Sequence, residues 1–140
     1  KKMQTEILNK TLQNRSINPT AMRLLVLDKL MNAEVALSLA DLEIEMDQAD
    51  RVTIYRTLKT FEENKLIHSI EDGTGSIKYA LCESSCKCTP EFTHAHFHCN
   101  NCNQTFCLRN IHVPEINLPK NFKAEQSSFI LKGICDQCKS

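Results

Sequence analysis

Eight cysteines and five histidines carry most of the chemistry open to this 140-residue chain, and their spacing narrows it. Cys99-Asn-Asn-Cys102 and Cys135-Asp-Gln-Cys138 are pairs with a two-residue gap. A tight turn across such a gap aims both thiolates at one ion. Two such turns complete the tetrahedral sulfur shell that zinc accepts, with Zn–S at about 2.3 Å. The intervening stretch, residues 103–134, is longer than usual ribbon spacing. Two redox dithiols are the competing reading. The size of the region favours a structural zinc, since about 60 residues bury too little apolar surface to stand unaided.

A second cluster begins at Thr93-His94-Ala95-His96-Phe97-His98-Cys99. In an extended strand, residues 94, 96 and 98 share a face, so two or three imidazoles converge there. Cys82, Cys86 and Cys88 lie just before them, on an expected loop, and Cys107 follows on an expected strand 105–108. A site of mixed nitrogen and sulfur donors centred on His94 and His96 is the natural reading. For Cys107, between Phe106 and Leu108, an inert buried thiol is the plainer explanation. Thiolate and imidazole donors suit zinc, whereas a carboxylate-rich shell would suit manganese or ferrous iron. No HExxH, GxSxG or P-loop pattern occurs, and Glu91 is the nearest carboxylate to the histidines. The expectation is a protein that is not an enzyme and takes no small-molecule substrate.

The elements that must position these residues fall into two compositions. All eight cysteines follow residue 81, as do four of the five histidines, which divides the chain into residues 1–81 and 82–140. Charged residues make up 24%, with 17 basic and 17 acidic, which excludes a gross polyelectrolyte but not a local basic patch. The longest aliphatic run, Leu24-Leu25-Val26-Leu27, is far short of the roughly 20 residues that cross a bilayer. With no recognisable signal segment, the expected compartment is the cytoplasm, whose reducing conditions favour metal ligation over disulfides.

In the first part, Ile7, Leu8 and Leu12 mark a helix over residues 3–15. Asn18 and Pro19 are read as the N-cap and first position of a second helix, running to about Met31 and burying Leu24, Leu27 and Met31. Ser38-Leu-Ala-Asp41 is a capping-box variant opening a short third helix. A fourth follows Asp50, with Ile54, Leu58 and Phe61 on one face and Val52, Arg56 and Lys59 turned away. Two strands, residues 66–71 and 76–81, flank Asp72-Gly-Thr-Gly75, with Ile77, Tyr79 and Leu81 on one face. This is the order of a winged helix-turn-helix, in which the fourth helix would enter the major groove. A solvated helix face explains Arg56 and Lys59 equally well on pattern alone. A DNA surface would rest on a focused patch of Arg51, Arg56 and Lys59, with Lys10, Arg15 and Lys78 as further candidates.

Together these residues resemble the ferric uptake regulator family of bacterial metal-responsive transcriptional repressors. Arg51-Val-Thr-Ile-Tyr-Arg-Thr-Leu58 looks like its recognition-helix motif, His94-x-His96-x-x-Cys99-x-x-Cys102 like its metal signature, and Cys135-x-x-Cys138 like its closing zinc pair. The resemblance implies an α+β fold: an N-terminal winged helix-turn-helix domain followed by a small zinc-stapled α/β dimerisation domain. It implies a homodimer on a palindromic double-stranded DNA operator, with Arg51, Thr53, Tyr55, Arg56 and Lys59 at the interface. Cys99, Cys102, Cys135 and Cys138 would hold the structural zinc. The closest ligand pattern is that of the zinc-responsive branch, which implies a regulatory shell of His68, His94, His96 and either Cys82 or Cys88. Zinc is the expected second ion, with iron the alternative. The family often places an acidic ligand at the position of Cys107, which is then a ligand here or a replaced one. The family's long helix in the second domain has little room, because Pro114 and Pro119 flank Glu-Ile-Asn-Leu. An iron- or peroxide-responsive regulator, and a zinc-stapled interaction module without regulated DNA binding, are the alternatives.

Overall fold

The computed structural model describes residues 2–46, 49–81, 95–108, 111, 113–114, 116–125 and 129–138. Four helices come first: α1 (Lys2–Gln13), α2 (Ala21–Asn32), α3 (Leu39–Glu45) and α4 (Arg51–Glu63). Strands β1 (Leu37–Ser38), β2 (Ile67–Glu71) and β3 (Ile77–Leu81) form one antiparallel sheet in the order β1-β3-β2. Strands β4 (Ala95–Cys99), β5 (Thr105–Leu108) and β6 (Phe129–Gly133) form a second sheet, ordered β5-β4-β6. In it β5 runs antiparallel to β4, and β6 runs parallel to it.

Local chemistry fixes the helix starts. The capping box forms as read: Asp41 N–H donates to Ser38 Oγ at 3.1 Å, and Ser38 N–H donates to the Asp41 carboxylate at 2.9 Å. Asp50 caps α4, accepting from the Thr53 N–H at 2.8 Å and its hydroxyl at 3.1 Å. Helix α2 departs from expectation. Its cap is Thr20, in extended geometry and accepting from Arg23 N–H, so Asn18 and Pro19 stay outside. The later start is accompanied by a shift of the buried stripe to Val26, Leu27 and Leu30, leaving Met31 exposed.

The main core joins Leu8, Leu12, Val26, Leu27, Leu42, Ile54, Leu58 and Phe61 to Leu66, just before β2, and to Ile67 and Tyr79 of the sheet. Truncating one of its fully buried leucines to alanine typically costs about 2–5 kcal/mol. Three helices, the helix α4 and a β2–β3 ribbon make a winged helix-turn-helix, completed by the short β1 that sequence periodicity does not reveal. Among the described residues no helix follows α4, and none is long and apolar enough to cross a membrane.

Strand β3 is covered on both faces, which overturns the expected alternation. Tyr79 faces the helical core, Ile77 at the strand's end is exposed, and Lys78 and Ala80 are buried on the other side. That side meets the second sheet: Ala36, Ile70 and Ala80 pack with Ile130 of β6, and Ala36 N–H donates to the Thr105 carbonyl at 2.8 Å.

Candidate metal centres

The four thiols of Cys99, Cys102, Cys135 and Cys138 converge within 4.8 Å of one another. Cys99 ends β4, and the chain turns back through Asn103, whose left-handed backbone (φ 61°) asparagine tolerates well. Asn103 N–H closes the turn on the Cys99 carbonyl at 2.9 Å, and Cys138 N–H closes its own on the Cys135 carbonyl at 3.2 Å. Because β6 runs parallel to β4, both turns emerge at the same end of the sheet. Cys102 Sγ and Cys135 Sγ stand 3.9 Å apart. A tetrahedral ZnS4 shell has an edge of about 3.8 Å, so the donors fit that ion.

Electrostatics point the same way. Backbone N–H groups of Cys102 and Cys135 favour the Cys99 thiolate and bring its pKa down to about 6. The Gln104 N–H favours the Cys102 thiolate as well, yet burial and the neighbouring sulfurs outweigh it and push that thiol up to about 11. Burial comes first in raising Cys135. Among Cys99, Cys102 and Cys135, one thiolate is thus favoured and the two beside it are disfavoured, a contrast that a divalent cation would relieve.

The second cluster is made of His68, His96 and Cys107, whose donor atoms also lie within 4.8 Å of one another. His68 Nε2 and His96 Nε2 are 3.2 Å apart, near the edge of about 3.3 Å expected between two imidazoles on one tetrahedral zinc. His68 comes from β2, whereas His96 and Cys107 are register partners on β4 and β5. The Cys107 thiol therefore lies beside two imidazoles as well as between two apolar neighbours in the chain. Pairing opposite His96 aims it, a fact visible only once the strand register is known. Cys82, Cys86, Cys88, Glu91 and His94 lie outside the described residues.

Strand periodicity groups His98 with the other imidazoles, but it bonds elsewhere. Its Nδ1 lies 3.0 Å from Thr105 Oγ1 and 3.4 Å from Asp72 Oδ2. Asp72, 1% exposed, also accepts from Lys78 Nζ at 3.0 Å. Burial alone would raise the Asp72 pKa, but hydrogen bonds from Thr105, Thr74 and Lys78 outweigh it and hold the carboxyl well below its usual range. Lys78 is thus removed from the candidate phosphate contacts, since a buried, ion-paired ammonium presents nothing to DNA.

On α4, Arg51, Val52, Tyr55 and Arg56 are exposed, while Ile54, Thr57, Leu58 and Phe61 are buried. Lys59 Nζ sits 5.3 Å above the Tyr55 ring and 3.4 Å from Glu62. Arg51 pairs with Glu43 at 3.4 Å, and Thr53 is engaged by the Asp50 cap. Both Arg51 and Glu43 are well exposed, so the pair is easily exchanged for another anion. The Arg56 side chain makes no ion pair among the described residues.

Comparison with known proteins agrees with this architecture. A profile of the Ferric uptake regulator family matches residues 14–136, and the chain belongs to that family of metal-responsive transcription regulators, which are not enzymes. A Campylobacter jejuni ferric uptake regulation protein is 26% identical over 145 residues, covering 96% of this chain and 88% of the relative. A zinc uptake regulator solved in complex with zinc and DNA superposes with a TM-score of 0.66 at 22% identity, covering 96% of this chain and 94% of that one. The Vibrio cholerae ferric uptake regulator gives 0.61 at 16% identity, over 91% and 98% of the respective chains.

Proposed function

We propose that this chain is a zinc-sensing transcriptional repressor of the cytoplasm, binding a palindromic operator as a homodimer. One observation carries the reading: the His68–His96–Cys107 donors come from two different sheets. An ion held there ties the winged unit, residues 1–81, to the sheet of residues 82–140. A ligand acts on DNA binding only through such a difference between arrangements. Shifting a two-state equilibrium from 1:99 to 99:1 needs an affinity ratio of about 10⁴.

The roles divide as follows. Cys99, Cys102, Cys135 and Cys138 hold a structural zinc that closes the end of the second sheet. His68, His96 and Cys107 hold the sensory ion, with one of His94, Cys82 and Cys88 completing a tetrahedral shell. Arg51, Tyr55, Arg56 and Lys59 present the exposed face of α4 to the major groove, and Thr53 secures the helix start behind them. The dimer is supported by the position of β6 at the edge of its sheet, where Leu131 is 44% exposed and Ile134 just beyond it 53% exposed.

Iron is the second reading, favoured by the ferric regulator among the relatives; two imidazoles and a thiolate favour zinc. The test is selection from a random pool of duplexes by chelator-treated protein, with zinc, ferrous iron or no ion. Enrichment of a palindrome only with zinc is expected. Enrichment only with iron would transfer the sensor to that metal. An unstructured pool under every condition would leave a zinc-stapled interaction module in its place.

A further inference from the structure

Strand β2 faces the second sheet as two successive rows. His68, Ile70 and Asp72 alternate along β2 and its exit, and His96 and His98 alternate along β4. The register sets Cys107 and Ile130 on either side of His96, and Thr105 and Lys132 on either side of His98. His68 meets the first row, Asp72 meets the second, and Ile70 packs between them against Ile130. The two rows differ in where positive charge comes from. In the first, imidazole and thiol donors face one another with room for an ion. In the second, the chain supplies its own cation, Lys78 Nζ, 3.0 Å from Asp72 Oδ2.

Hydrogen-bond accounting orders the second row. An ionised Asp72 can only accept, so the Thr105 hydroxyl spends its single proton on Oδ2 at 2.6 Å. Thr105 Oγ1 must then accept from His98 Nδ1–H at 3.0 Å, which fixes that tautomer. Asp72 Oδ1 is filled by the Thr74 hydroxyl at 2.6 Å and the Thr74 N–H at 3.1 Å. The turn itself fits closely under β6: a Cβ on Gly73 would lie 2.5 Å from Lys132 Nζ, and Gly73 has φ +85°. None of these bonds involves a metal ion, and the Asp72–Thr105 bond crosses from one sheet to the other.

We propose that Asp72 and Thr105 are positioning residues for the His68–His96–Cys107 site: their buried bond keeps β2 seated on β4 and β5 before any ion arrives. His68 is thereby held within reach of its partners. The apparent affinity for an ion equals the intrinsic affinity scaled by the fraction of chains already seated, and this bond raises that fraction. The effect on metal affinity rests on the sensory reading above; the seating itself does not.

Thr105→Val separates the two, because valine keeps the β-branched shape and removes the hydroxyl, with its bond to Asp72 across the sheets and the one it accepts from His98 within its own sheet. The full chain, holding its cysteine-bound zinc, is compared with wild type under a chelator mild enough to keep the second site empty. Hydrogen exchange at Ala36, whose amide donates to the Thr105 carbonyl, should quicken in the variant. Zinc titration against a competing chelator should show the second site weakened by about tenfold, the effect of one charge-assisted bond, at unchanged stoichiometry. Thr105→Ser, which restores the hydroxyl, should recover both properties. Unchanged exchange in Thr105→Val would overturn the proposal, as would a Thr105→Ser chain that behaves like the valine variant. If Thr105→Val does not fold, the serine variant together with Asp72→Asn/Lys78→Met takes its place, and unchanged exchange in that double variant overturns the proposal as well. A wild-type chain that takes no second ion would remove the sensory reading, while the exchange measurement still decides the seating.

Discussion

The four thiols of Cys99, Cys102, Cys135 and Cys138 sit on turns at one end of a single sheet, two from each CxxC pair. The donors of His68, His96 and Cys107 instead span two sheets and approach one another only because those sheets are seated. On the function proposed above, an ion in the first cluster would stabilise the end of one sheet, whereas an ion in the second would change how one sheet stands on the other. The proposed difference in purpose thus rests on which strands supply the donors.

The largest effect should come from breaking the first cluster. Cys102→Ser is expected to lose its zinc and, with it, cooperative unfolding of the second sheet. Structural zinc in small domains contributes about 10–16 kcal/mol of apparent binding free energy, most of it coupled to folding. Zinc content and circular dichroism melts check this. A variant that melts like wild type would remove the distinction between the clusters.

Next in size is His96→Ala, which should keep one zinc per chain and its melting behaviour while losing the second ion and every metal-dependent change in DNA affinity. Metal analysis beside a binding titration measures both. Arg56→Ala tests the far end of the coupling. It should leave both ions in place and weaken binding to a selected duplex by about 1–3 kcal/mol. The loss should be smaller at high salt if Arg56 reads phosphate alone.

The smallest effect concerns acid. Asp72 is held below its usual range, so its contribution to stability is complete above the unfolded value of 3.8 and is lost as pH falls through the folded one. Between neutrality and about pH 4 the Asp72 contribution should be flat. Below that, wild type should lose melting temperature more steeply than Asp72→Asn, a difference seen in melts across an acid series.

Much of this was readable in the chain itself. Ser38-x-x-Asp41, the Asp50 cap and the Ile54–Leu58–Phe61 face are short-range signals, and each formed where the residues put it. The paired CxxC turns were legible for the same reason. What escaped depends on contacts between residues far apart in the chain. Lys78 looks like a solvent-facing wing residue until a second sheet covers it. Cys107 looks inert until the β4–β5 register sets it opposite His96, and His98 looks like a ligand until Thr105 and Asp72 claim it. The Thr20 cap is a different kind of miss, since Asn18-Pro19 offers a good start that the chain declines in favour of one two residues later.

The parallel pairing of β6 with β4 also sets a schedule. During synthesis, the helical core and its ribbon are complete once residue 81 has emerged, but β4 cannot gain its second neighbour until residue 133, nor the sulfur turns their last donor until residue 138. At typical translation speeds of about 5–20 residues per second, that interval lasts about 3–11 s. Until residue 130 has emerged, the face carrying Ile70 and Ala80 lacks the Ile130 side chain that packs on it. The neighbouring Asp72 and Lys78 give that face a pair of charges to hydrate, a guard against sticking to other nascent chains before its own cover arrives.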